Sequence, residues 1–336
     1  MLRISMKLIT GLLAVLLLGM AHAQSEAGDK PYRVFMILWR GETEVERGFK
    51  DALAELKLPV EFTIRSADRD RSRIPALVAE AKAARPDLVY TWGTTVTLGV
   101  VGEYDRVDSA THIADIPVLF TMVAAPLEAR IVPELRSSGR NVTGTTHIVP
   151  IETQIKAIRA YRSLTRLGVI YNPAEANSVA NIRQLRELSD KLQFELLDQP
   201  VPLDEQGNPR ADTLLELVGD LARREPQFLY IGPDTFIGDN RQLIIGEAIK
   251  HRLPAFSATE LEMRDGQAMI GLVSRYYNLG RFTAFKARQI LVDHAQPRAI
   301  PIETLSRFTY IINMAVAKRL ELYPPMNTLN YAEVIE

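Results

Sequence analysis

Short apolar runs rich in Val, Ile and Phe alternate along this chain with longer stretches in which apolar positions recur every three or four residues, the pattern of strands interleaved with amphipathic helices. The clearest unit spans 166–179, RLGVIYNPAEANSV. Leu167, Val169, Ile170 and Tyr171 read as a buried strand, Asn172 and Pro173 end it, and Asn177 or Ser178 is placed to cap the helix that follows. The free N–H groups at such a helix start face whatever lies beyond the strand's carboxyl end.

The same alternation predicts a first α/β unit. Strands are expected over 33–39, 60–65, 88–91, 117–121 and 141–146. Helices are expected over 43–57, 74–84, from 93 onward and over 127–136, with Thr43 and Glu46 forming a capping box. A second unit repeats the order without repeating the sequence: helices over 152–161, 182–192, 212–224 and 237–251 interleave with strands at 167–171, 194–197, 228–231, 255–256 and 268–272. A helix over 276–293, a linker at 299–302, a strand over 309–312 and a helix over 315–322 are left over. They imply that the chain passes back through the junction, so the expected fold is α/β, two Rossmann-like lobes with parallel sheets around a cleft that opens and closes.

Composition changes this picture at the amino end. The chain of 336 residues is ordinarily globular, with 47% hydrophobic and 24% charged residues. Residues 1–23 differ: Arg3 and Lys7 precede an apolar run over 8–20 and then Ala21-His22-Ala23, the pattern of a cleaved export signal. An uncleaved anchor is the alternative, although the run is short for a membrane span. Removing 1–23 leaves 38 basic against 41 acidic residues, which implies no nucleic-acid face. The absence of cysteine excludes a lipid-modified amino-terminal Cys, disulfides and thiolate metal sites. A periplasmic protein, not lipid-anchored, is expected.

In open parallel sheets, ligands sit beyond the carboxyl ends of the strands. The loops there carry Trp39 and Arg40, Trp92, Thr94 and Thr95, Asn172, Asn177 and Ser178, Asp234, and Glu260. Both tryptophans of the protein fall in this set. Each either stacks on a flat ligand or seals its lobe's core. Arg40 is a candidate carboxylate clamp or a solvated surface residue. Gly93-Thr94-Thr95 opens a helix and either holds an anion or simply caps, and Asp234 is either a helix cap or a ligand contact. Catalytic signals are thin: the four histidines after residue 23 lack metal spacing, and no nucleophile elbow, P-loop or dinucleotide fingerprint occurs. No enzyme, cofactor or metal site is expected.

NVTG at 141–144, GVIYNPAEANSV at 168–179, YYNLGRFTA at 276–284, Ile290-Leu291 followed by Ile300-Pro301, and IINMAVAKRL at 311–320 occur in an order similar to one known group. Over essentially the whole exported length the chain resembles the solute-binding proteins of ABC transporters that include tryptophan- and tyrosine-binding members. The resemblance implies a type I periplasmic-binding fold with three hinge crossovers. It also implies a small ligand delivered to a membrane permease with its ATPase, and contacts at Trp39, Arg40, Thr94, Thr95, Asn172, Asn177, Ser178, Asp234 and Glu260. The expected division is a signal at 1–23, a first lobe of 24–147 plus 275–300, a second of 148–274 plus 301–325, and a tail at 326–336. A monomer is expected. Two positions depart from the family pattern: Ala124-Ala125-Pro126 stands where an acid usually precedes the proline, and Arg275-Tyr276 where Asp-Tyr is frequent. Losing two ammonium partners while gaining Arg40 and Arg275 predicts a carboxylate ligand with an apolar or aromatic body rather than a zwitterionic amino acid. A sensory adaptor that presents the same ligand to a membrane receptor is the alternative use, and a secreted hydrolase is disfavoured.

Overall fold

The computed structural model describes residues 30–265 and 267–336, and the expected export signal lies outside them. The chain begins with β1 (Tyr32–Leu38), α1 (Glu44–Glu55), β2 (Val60–Ser66), α2 (Ile74–Ala84), β3 (Leu88–Trp92), α3 (Gly93–Val101), β4 (Val118–Thr121) and β5 (Val142–Gly144). These strands form one parallel sheet in the order β2-β1-β3-β4-β5. Strand β1 shows why the sheet is covered on both faces: Phe35 and Ile37 pack into one core, and Val34, Met36 and Leu38 into another. The capping box forms as expected, with Val45 N–H donating to Thr43 Oγ1 at 3.2 Å and Thr43 N–H to Glu46 Oε2 at 2.8 Å.

The second series comprises α4 (Ile151–Tyr161), β6 (Arg166–Tyr171), α5 (Ala176–Leu192), β7 (Glu195–Pro200), α6 (Leu214–Arg223), β8 (Phe228–Ile231), α7 (Thr235–Asp239), α8 (Arg241–Lys250), β9 (Ala255–Ser257), α9 (Glu260–Arg264) and β10 (Ile270–Val273). It is completed by α10 (Tyr276–Leu291), β11 (Thr309–Asn313), α11 (Met314–Leu320), α12 (Met326–Leu329) and β12 (Glu333–Ile335). The second sheet runs β12-β11-β10-β9-β8-β6-β7 and is parallel except for β10 against β11. Within the expected tail at 326–336, β12 joins this sheet, parallel to β11. Among the described residues no helix is long and apolar enough to cross a membrane.

Among the described residues the chain passes between the lobes three times. It leaves the first sheet after β5. After β10 it returns as α10, whose Leu279, Ala284 and Ala287 enter the first lobe's core. It leaves again past Ile300 and Ile302, both in first-lobe cores, to reach β11. Helix α10 crosses α1 at backbone contact: a Cβ on Gly280 would lie 1.9 Å from Val45 O, and one on Gly48 2.0 Å from Tyr277 O. Glycine at both positions is what docks the returning helix.

Two expected helices are corrected. Residues 127–136 form turns, because Pro133 removes a backbone donor inside the pattern and Arg130 adopts φ 56°. The expected helix over 237–251 is two helices, starting at Thr235 and broken at Asn240, whose φ and ψ are −103° and 14°. Helix α5 starts six residues before its apolar pattern suggested, at Ala176, with Glu175 preceding it.

Candidate functional site

The loops beyond the strands' carboxyl ends from both sheets face one another across a cleft. At its centre is a narrow space of about 40 Å³ lined by residues of both lobes, among them Arg40, Trp92, Thr94, His147, Asn177, Asp234, Glu262 and Tyr276. Larger openings flank it. One of about 850 Å³ has walls of both charges, among them Arg40, Arg241 and Arg275 beside Glu42, Glu260 and Asp265. Another of about 630 Å³ brings Trp39 and Asn172 to the same space.

The first-lobe wall is rich in donors. Strand β3 turns directly into α3 at Gly93, whose φ of 82° suits glycine, and no side chain caps the helix. Thr94 is buried at that amino end and lines the central cavity, whereas Thr95 faces the neighbouring openings. Trp92 is buried and its Nε1 has no partner. The guanidinium of Arg40 lies 4.8 Å from the Trp92 ring centroid, with its Nε also buried and unpartnered.

The second-lobe wall is rich in acceptors. Asp234 caps α7, accepting from Ile237 N–H at 2.9 Å, and also accepts from Asn172 N–H at 2.7 Å and Ser178 Oγ at 2.6 Å. Asn177 and Ser178 therefore do not cap α5. They lie within its first turn and point across to the β8–α7 loop, Asn177 Nδ2 donating to Pro233 O at 2.6 Å while its Oδ1 is left buried without a partner. Glu175 accepts from Thr235 N–H at 2.9 Å. Burial raises the carboxyl pKa of both Glu175 and Asp234, and the charge on Asp234 adds to the effect at Glu175. Glu262, held by Ser257 and Thr259, is likewise raised by burial.

Both arginines expected to bias the cleft toward anions are neutralised. Arg40 Nη1 lies 2.9 Å from Asp239 Oδ1 in the opposite lobe. Arg275 lies at the amino end of α10, where its Nε meets Glu260 at 2.9 Å and its Nη1 meets Glu333 at 2.8 Å. Glu260 also accepts from Tyr276 N–H at 2.6 Å, so it belongs to the hinge as much as to the cleft. Trp39 is half-buried and donates Nε1 to Asp239 at 3.3 Å.

Sequence reasoning missed His147, Glu262, Tyr276 and Asp239. His147 is buried in the crossover after β5; its Nδ1 is unpartnered, and burial pushes its pKa down to about 3, so it is a neutral ring. Extending the strand-end rule to the loop after β5 would have found it. Glu262 stands three residues after Thr259, a spacing that marks a helix start. Asp239 had no local signal.

With this geometry in hand, the relatives are informative. The tyrosine-binding protein of Clostridioides difficile (strain R20291) is 24% identical over 282 residues, covering 82% of this chain and 74% of the relative. A conserved domain protein of Vibrio cholerae O1 biovar El Tor superposes with a TM-score of 0.80 at 21% identity, over 91% of this chain and all of that one. An ABC domain from Streptococcus pneumonia, solved in complex with L-Trp, gives 0.78 at 20% identity over the same shares. These structures share the type I periplasmic-binding fold. The family model for ABC transporter substrate binding proteins matches residues 37–335. The chain belongs to that family, an extracytoplasmic group of solute-binding proteins rather than enzymes.

Proposed function

We propose that this chain is a periplasmic protein that captures a small amino-acid-like solute, with an amine, a carboxylate and an apolar or aromatic body, and delivers it to an ABC permease and its ATPase. One observation carries the reading. Four buried polar atoms without partners, Arg40 Nε, Trp92 Nε1, His147 Nδ1 and Asn177 Oδ1, belong to residues that line a single cavity between the lobes. Buried polar groups are normally satisfied, so a set of unpaired ones around one space fits a solute that pairs them.

The donors are on the first lobe and suit a carboxylate: Trp92 Nε1, Arg40 and the uncapped start of α3 at Thr94. The acceptors are on the second lobe and suit an ammonium group: Asn177 Oδ1, Asp234 and Glu262. Trp92 and Tyr276 offer flat surfaces for the body. Trp39, Thr95, Asn172, Ser178, Glu260 and Arg275 shape the cleft around this centre. The cavity is too small for such a solute with the lobes as they stand, so binding includes separation and reclosure, and a ligand that touches both lobes favours the closed form. The pairing of Arg40 with Asp239 and of Arg275 with Glu260 and Glu333 removes the two free cations on which an amine-free ligand rested. The relatives that bind tyrosine or tryptophan point the same way. A thermal-shift screen of aromatic and aliphatic amino acids beside their amine-free counterparts tests the reading. Stabilisation is expected from the amino acids, and stabilisation by the amine-free acids alone would overturn it.

A further inference from the structure

Asp239, the last residue of α7, receives three donors from the opposite lobe: Trp39 Nε1 at 3.3 Å, Arg40 Nη1 at 2.9 Å and Arg69 Nε at 3.1 Å. They come from two loops that are fastened together. Arg69 follows β2 in the left-handed conformation, φ 63°, and its N–H donates to Trp39 O at 2.8 Å. The acceptor is equally placed by its backbone, because the chain leaves helical geometry at Asn240 and ends α7 at this point. The result is a built carboxylate site on the first lobe, occupied by a carboxylate of the second.

Arg40 belongs both to this cluster and to the central cavity, where its guanidinium lies against Trp92. With Arg40 paired to Asp239, the other ionisable side chains lining that cavity among the described residues are Asp234 and Glu262, with His147 neutral and Tyr276 un-ionised. An amine-free acid entering there meets two carboxyl groups and no uncommitted cation. An amino acid brings its own positive charge. We propose that Asp239 determines specificity: by pairing with Arg40 across the cleft it makes the site reject amine-free acids and accept solutes that carry an amine. This rests on the solute-binding reading above and names the residue that sets its ligand class.

The test compares two matched pairs by calorimetry, L-tryptophan with 3-(indol-3-yl)propionate and L-tyrosine with 3-(4-hydroxyphenyl)propionate. The protein is wild type, Asp239→Asn or Asp239→Glu. The side chain sits at the rim of the cleft with 16% exposure, and Asn keeps its shape. The ratio of acid to amino-acid dissociation constants should move toward the acid by about tenfold or more in Asp239→Asn, and Asp239→Glu should keep the wild-type preference. Equal changes in both members, leaving the ratio where it was, would reduce Asp239 to a structural tie and overturn the proposal. A wild type that binds no member of either pair would instead overturn the function proposed above.

Discussion

The two walls of the cleft are built alike and charged differently. Both are strand ends followed by helix starts, yet the first lobe leaves α3 uncapped beneath Trp92 and Arg40, whereas the second caps α7 with Asp234 and buries Glu175 and Glu262 nearby. One wall has donors to spare and the other acceptors. A solute with an acceptor at one end and a donor at the other satisfies both walls and orients itself between them, and Asp239 uses the same complementarity to hold the lobes together.

The comparison breaks most completely if the first wall loses its support. Helix α10 carries Tyr276 into the cavity and is docked through Gly280, so Gly280→Leu should lower stability by about 3 kcal/mol or more in denaturant unfolding. A change near zero would show that α10 is not held by that crossing. Removing the cation of the donor wall comes next. Arg40→Ala should weaken binding of L-tryptophan or L-tyrosine by about thirtyfold or more, roughly 2 kcal/mol or above, and an unchanged dissociation constant would take Arg40 out of the site.

Arg40 and its partner Asp239 differ in how far the chain announced them. Arg40 follows an apolar run and could be placed at a strand end from pattern alone, as could Trp92 and Asp234; helix α2, over 74–84, and the Thr43–Glu46 cap were equally legible because their signals are local. The pairing of Arg40 with a residue 199 positions away was not, since nothing near Asp239 marks it. The same limit explains the arginine argument: side-chain identity was readable, but the neutralising partners Asp239, Glu260 and Glu333 come from tertiary packing. The expected helix over 127–136 failed for a local reason that was present in the sequence, Pro133.

Smaller effects sharpen the contrast. His147 lies between the walls with a folded pKa pushed down to about 3 by burial, below its ordinary value. The unfolded chain therefore binds the extra proton first, so this residue's contribution to stability is complete above about pH 6.5 and is lost as pH falls toward 3. Replacing it in His147→Gln should remove an acid-side slope that reaches about 1.4 kcal/mol per pH unit within that window, read from unfolding at successive pH values. An identical slope in both proteins would place the proton uptake elsewhere. Glu333→Gln, at the partly exposed ion pair with Arg264 and Arg275, should cost less than about 1 kcal/mol and leave the pairing of Arg275 with Glu260 intact. A larger loss would mean that β12 supports the cleft wall through this residue.

The complementary-wall account is tested most directly by the orientation of a bound amino acid, measured in a crystal structure of the protein grown with L-tryptophan or L-tyrosine. The carboxylate should lie within hydrogen-bonding distance of Trp92 Nε1, Arg40 or the amino end of α3, and the amine against Asn177, Asp234 or Glu262. A solute bound the other way round, or held outside the space between the lobes, would contradict it.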